Sequence, residues 1–435
     1  MAVKFKNCII LASDEHGEYQ VLREAVLCVK DNTIAYIGSE NEAPYCEEIK
    51  DMGGAILMPG IVNAHGHGPM TLLRGIGGGL ALQEWLETAI FPVEERLESR
   101  DIEAGERWAV MEMLAGGTTC VSEMYDFPGS MGKVLLESGM KGNISRVGLS
   151  FSETEEIPRG RFDECIGFLK EWNDPEERVI AELCLHSEYL TNEKFVRRIA
   201  EANHELKRNV NVHVSETRRE HEECKVRHNG LTPIQYLNNC GLFEENTYCA
   251  HCVWVEDADI EIMHDKKVTA VFNPTSNCKL ASGFARIDNM KKAGVNVAIG
   301  TDGVASNNNL NMFEEIHIAS LLIKNCCMDA TKATAEEILK MATVNGAKAL
   351  GRTDTGEIKV GKKADIIAVS MDKPHMFPAF DIPNILVYSA QASDVIMTMV
   401  DGRILYEKGE YLTIDAERAK TDMQASLDRI YSRNQ

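Results

Sequence analysis

Residues 179–216 read VIAELCLHSEYLTNEKFVRRIAEANHELKRNVNVHVSE, and the reading of this stretch decides the fold. VIAELCLHS (179–187) is a short, nearly continuous apolar run, as expected of a strand covered on both faces. EKFVRRIAEANHELKR (193–208) places Phe195, Val196 and Ile199 at helical spacing, with charged residues between them. NVNVHVSE (209–216) returns to strand character. A strand, a helix and a second strand in immediate succession predict a parallel crossover unit.

The same alternation extends in both directions. GIVNAHGH (60–67), GTTCVSEMY (117–125) and ISRVGLSF (144–151) precede the stretch, while TYCAHCVW (247–254), VTAVFNPTS (268–276) and VNVAIGTDG (295–303) follow it. Helical segments such as AEEILKMATVNGAKAL (335–350) accompany them. Eight strand–helix units predict an α/β fold with a TIM-like (β/α)8 barrel, whose chemistry sits at the C-terminal ends of the strands. Outside the barrel, the pattern changes to short strands and turns. VKFKNCIILA, AVLCVKDNTIAYIG and GGAILMPG lie at the N-terminal end, with GEIKVGKKADIIAVS and VIMTMVDGRILYEKGEYL near the other. The predicted organisation is therefore a barrel over 57–355 and a small β-sandwich-like domain from 1–56 plus 356–435. A helix from Asp415 to about Tyr431 closes the chain.

The chain has 435 residues, 44% of them hydrophobic, and a formal net charge of −21. Such a charge repels phosphate backbones and anionic lipid, which argues against nucleic-acid or membrane partners. No apolar run approaches the ~20 residues of a membrane helix. Met1–Asp14 reads as a strand rather than a signal peptide, and thirteen irregularly spaced cysteines suggest reduced thiols, so a cytoplasmic location is expected. Cys249 and Cys252 match a short metal motif. On a continuous strand, however, positions three apart face opposite sides and cannot share an ion.

Five of the twelve histidines, His65, His67, His186, His213 and His251, fall at the ends of predicted barrel strands. His65 and His67 share one strand face. With His213 from strand five and Asp302 from strand eight, they make a three-imidazole, one-carboxylate set that suits zinc and leaves a position for water; ferrous iron or manganese fits similar ligands. Water on such a metal ionises near neutrality and becomes a nucleophile. Glu216, three residues past His213, is placed to protonate a ring nitrogen. Asp302 would accept the water proton and pass it to the leaving ammonia, and His251 would orient the nucleophile.

The runs VNAHGHGPMTLLRG, HVSET, AHCVW, NPTSNCKLASG and GTDGVASNNNLNMFEE, in this order, resemble the amidohydrolase superfamily, and within it the 5-methylthioadenosine/S-adenosylhomocysteine deaminases. The resemblance spans nearly the whole chain, including GEIKVGKKADIIAV. It implies hydrolytic removal of the 6-amino group of an adenosine-type nucleoside at one divalent metal. The family's two-metal members carry a lysine at the end of strand four, and ELCLHSEYL has none.

The resemblance also implies substrate contacts. Glu94 would bind the ribose hydroxyls, His186 would reach the substrate from strand four, and Glu216 would touch the ring. Arg146 and Arg161 would hold the amino-acid carboxylate of S-adenosylhomocysteine, with Arg159 a rival to Arg161. Trp85, Leu72 and Leu73 fit either the wall of the base pocket or the core. Relatives that act on guanine, pterins, cytosine or triazines mark the alternative substrates, and a non-catalytic barrel scaffold is the remote one. The resemblance is also compatible with homo-oligomers.

Overall fold

The computed structural model describes residues 2–150 and 161–432. Eight parallel strands follow one another in sequence order around a barrel: Ile61–Gly66, Thr118–Tyr125, Lys141–Arg146, Val179–Ser187, Val210–Val214, Thr247–His251, Thr269–Phe272 and Val297–Ile299. The ring closes where Asp302 N–H donates to the His65 carbonyl at 3.0 Å, beside a parallel bridge between Gly66 and Asp302. The closing joint is thus formed by two of the residues singled out for chemistry.

Strand boundaries differ from expectation in an informative way. The third strand begins at Lys141, before the expected apolar start, because its early residues pair with both neighbours deep in the barrel. The seventh stops at Phe272, since Pro274 opens a helix over Pro274–Lys279. The helical stretch 335–350 splits into Ala335–Met341 and Val344–Ala349. Thr343 between them leaves helical geometry, and its hydroxyl bonds back to the Leu339 carbonyl at 2.7 Å.

The two chain ends build two further sheets. One contains Ala2–Lys6, Val26–Lys30, Thr33–Gly38 and Glu48–Asp51. The other joins N-terminal and C-terminal strands directly, Ile56–Pro59 pairing antiparallel with Ile366–Val369. Phe5, Ile10, Leu27, Leu57, Ile366 and Met399 form a common core between the sheets. The last helix, Ala416–Tyr431, is capped by the Asp415 side chain and lies against the barrel helix Ser99–Ala115. Its Arg429 reaches Asp101 there, and Tyr431 donates to the Leu72 carbonyl at 3.1 Å.

Candidate metal centre and active-site cavity

His65, completely buried, is the last but one residue of the first barrel strand, and His67 follows just beyond the strand. Gly68 must be glycine: a Cβ there would lie 2.3 Å from Glu106 Oε2 and 2.9 Å from Glu123 Oε1. Its N–H donates to Glu123 Oε2 at 2.6 Å, fixing the turn that aims His67 inward.

Backbone carbonyls fix the imidazole tautomers. His67 Nδ1 meets Met124 O at 2.7 Å, and His213 Nδ1 meets His186 O at 2.6 Å. Carbonyls only accept, so both rings carry their proton on Nδ1 and present a bare Nε2. These Nε2 atoms lie 3.3 Å apart, with Asp302 Oδ1 3.2 Å from that of His67 and 3.5 Å from His65 Nε2. His65 makes no hydrogen bond through either ring nitrogen despite full burial. Unpartnered lone pairs converging on one carboxylate oxygen are costly unless a cation lies among them. The donor set therefore fits a divalent metal.

A tight four-residue grouping, with ligand atoms all within 4.8 Å of one another, consists of His65, His213, His251 and Asp302. It includes His251 where sequence reasoning chose His67. His251 differs in its second nitrogen, which donates to the Asn277 side-chain oxygen at 2.9 Å. Its Nε2 stands 3.7 Å from Glu216 Oε2, so it bridges the donor cluster and the buried acid. Asp302 is held from behind by the hydroxyls of Ser276 (2.6 Å) and Ser306 (2.8 Å) on its other oxygen.

Burial and neighbouring imidazoles oppose protonation of most of these rings. His65 is pushed down to about 4, His186 to about 3, and His213 well below the ordinary histidine value. Burial alone would raise Asp302, yet the facing His65 and His67 hold its carboxyl well below the carboxylate range. Glu216 is buried and its carboxyl is raised by that burial. Its position depends on Glu220, whose carboxylate accepts the N–H groups of Ser215 (2.8 Å) and Glu216 (2.7 Å). Burial, with Glu216 close by, pushes Glu220 up to about 8. The T-x-x-E signature of Thr217 and Glu220 was the sequence signal for this clamp.

Above the donors opens a cavity with about 900 Å³ of empty space, its open mouth included. His67, His186, His213, Glu216, His251 and Asp302 line its floor. Glu94 lines one wall and accepts from Tyr125 Oη at 2.6 Å. Trp85 also lines the wall, whereas Leu72 and Leu73 are core residues. Arg146 and Arg161 come together near the mouth, but both are engaged by Asp126, which sequence reasoning overlooked. Arg159 lies outside the described residues.

Cys249 and Cys252 correct one expectation. The strand ends at His251, and left-handed backbone at His251 (φ 73°) and Cys252 (φ 47°) breaks the two-residue period. Both thiols therefore enter one hydrophobic core, the Cys252 thiol 3.4 Å from the Cys249 carbonyl.

The sequence profile of the amidohydrolase family matches residues 56–405, covering the barrel and the strands that return to the sheets. The chain belongs to this family. Among amidohydrolase relatives, a protein of Acetivibrio thermocellus named 5-methylthioadenosine/S-adenosylhomocysteine deaminase is 40% identical over 99% of this chain and 100% of its own length. A 5'-deoxyadenosine deaminase of Methanosarcina acetivorans is 39% identical over 98% of each. A crystal structure of an adenosine deaminase from Xanthomonas campestris with bound zinc superposes with a TM-score of 0.93 at 30% identity, covering 99% of this chain and 98% of that one. Among the described residues, no helix is long and apolar enough to cross a membrane.

Proposed function

We propose that this amidohydrolase hydrolyses the 6-amino group of an adenosine-type nucleoside, giving the inosine analogue and ammonia. The observation that carries the reading is the convergence of His65, His67, His213 and Asp302 at the floor of a cavity that Glu94 and Glu216 also line. Those four residues would hold one divalent metal, zinc in the first instance, with ferrous iron or manganese as alternatives. A cation bound there supplies Lewis acidity and lets water ionise near neutrality.

The remaining work falls to side chains. Glu216, whose carboxyl is raised by burial, delivers a proton to the ring nitrogen beside the carbon under attack. Water oxygen adds to that carbon as the ring nitrogen gains the proton, so aromatic charge does not accumulate. Asp302 accepts one water proton and returns it to the departing amine, while the hydroxyl left on the carbon gives its proton back to Glu216 as the carbonyl forms and the C–N bond breaks. His251, oriented by Asn277, aligns the attacking oxygen. Glu94 accepts from the ribose hydroxyls, and His186 packs at the floor beside the base. Arg146 and Arg161, both held by the cavity-lining Asp126, would face a substituent on the 5′ carbon.

Ammonia release is measured with zinc-loaded protein on adenosine, methylthioadenosine, S-adenosylhomocysteine, guanine and isoxanthopterin. Turnover of the nucleosides is expected. Activity confined to the bare bases overturns the nucleoside reading, and a fully loaded protein inert on the whole panel points to a scaffold.

A further inference from the structure

Asp126 follows directly on the second barrel strand, and the next residue, Phe127, adopts left-handed backbone (φ 54°) as it opens a helix. This corner carries the Asp126 carboxylate to the cavity mouth. There it meets both guanidinium groups: Arg146 contacts Asp126 Oδ1 directly, and Arg161 Nη1 lies 3.2 Å from the same oxygen. Arg146 is further held by Glu164, through Nε at 3.1 Å and Nη2 at 2.9 Å. Two cations and two carboxylates cancel within this cluster.

The cancellation changes what a substrate meets. Asp126 lines the cavity; among the described residues, no lysine or arginine does. Much of the remaining lining is apolar, including Met70, Leu82, Leu86, Val147 and Leu149. We infer that Asp126 is a specificity-determining residue. By occupying Arg146 and Arg161, it screens them from an incoming carboxylate and favours nucleosides whose 5′ substituent is short and uncharged. The inference rests on the deaminase reading above and deepens it. A tail carboxylate can reach the arginines only by displacing Asp126, which costs the charge-assisted bonds already made there.

The test is the ratio of kcat/KM for S-adenosylhomocysteine to that for methylthioadenosine, compared between the parent enzyme and Asp126→Asn, both zinc-loaded. Asp126→Asn keeps the side-chain shape and removes the charge. The ratio is expected to rise about tenfold, the scale of one charge-assisted hydrogen bond regained, with the gain in KM of the carboxylate substrate. Glu164→Gln, which frees Arg146 from its other partner, shifts the ratio in the same direction by less and serves if the first variant folds poorly. A ratio that stays flat in both variants while methylthioadenosine is turned over overturns the inference alone. A falling ratio also overturns it, because Asp126 then binds the tail ammonium. No turnover of either nucleoside removes the deaminase reading and this inference with it.

Discussion

Both ends of the barrel bury ionisable groups, and they treat them in opposite ways. At the N-terminal end, Lys141 lies 2.7 Å from both Asp365 and Asp401, and Arg178 adds a contact to Asp401. Arg352 there donates to Asn143 and to the carbonyls of Gly142, Glu177 and Arg178. Each charge finds its complement within the protein. At the C-terminal end, His65, His67, His213 and Asp302 aim lone pairs at one another. Burial is expensive at both ends. The lower end offsets it internally and joins the barrel to the terminal sheets, whereas the upper end leaves it for a cation to offset.

Three variants test that contrast. The largest effect belongs to the upper end: Glu216→Gln should retain metal and fold while turnover falls about 10²–10⁴-fold, the range for a lost proton transfer. Metal content and kcat measured together check it, and near-parental kcat would reassign the acid. At the lower end, Lys141→Met strands two buried carboxylates and should destabilise by about 3–5 kcal/mol. Urea unfolding reads the loss, and a change below 1 kcal/mol would show that this cluster behaves like a surface pair.

The smallest effect concerns Glu182, buried at the lower end and bonded by Tyr248 and by Asn143 at 2.8 Å. Burial pushes its carboxyl up to about 7 from an ordinary 4.5. A raised folded-state value means that its contribution is complete below 4.5 and is lost as pH rises through 7. Glu182→Gln should remove that decline, so the variant gains on the parent between those limits. Parallel stability curves from pH 4 to 8 would show instead that Glu182 has the same affinity for protons folded and unfolded.

The candidate metal donors were legible because they lie at or just past the C-terminal ends of strands. His65 and His213 are the last but one residues of their strands and Asp302 follows its strand by three residues, so all three stand at the C-terminal face of the barrel, where local pattern and chemistry agreed. The supporting residues were less legible. Ser276 and Ser306 on Asp302, Asn277 on His251 and Asp126 on Arg161 are ordinary polar residues whose partners lie on other turns or strands. Their types carry no signal until the chain brings them together.

Alternating strand and helix periods, with histidines and an aspartate near strand ends, were enough to determine a barrel and to mark a candidate donor set at its mouth. Tertiary structure decided what those patterns omit: closure through Asp302 and His65, the tautomers set by the Met124 and His186 carbonyls, and the pairing of Asp126 with two arginines. Periodicity is local and survives in one dimension. Hydrogen-bond partners and charge compensation depend on distances between segments far apart in sequence, and only the folded chain sets those distances.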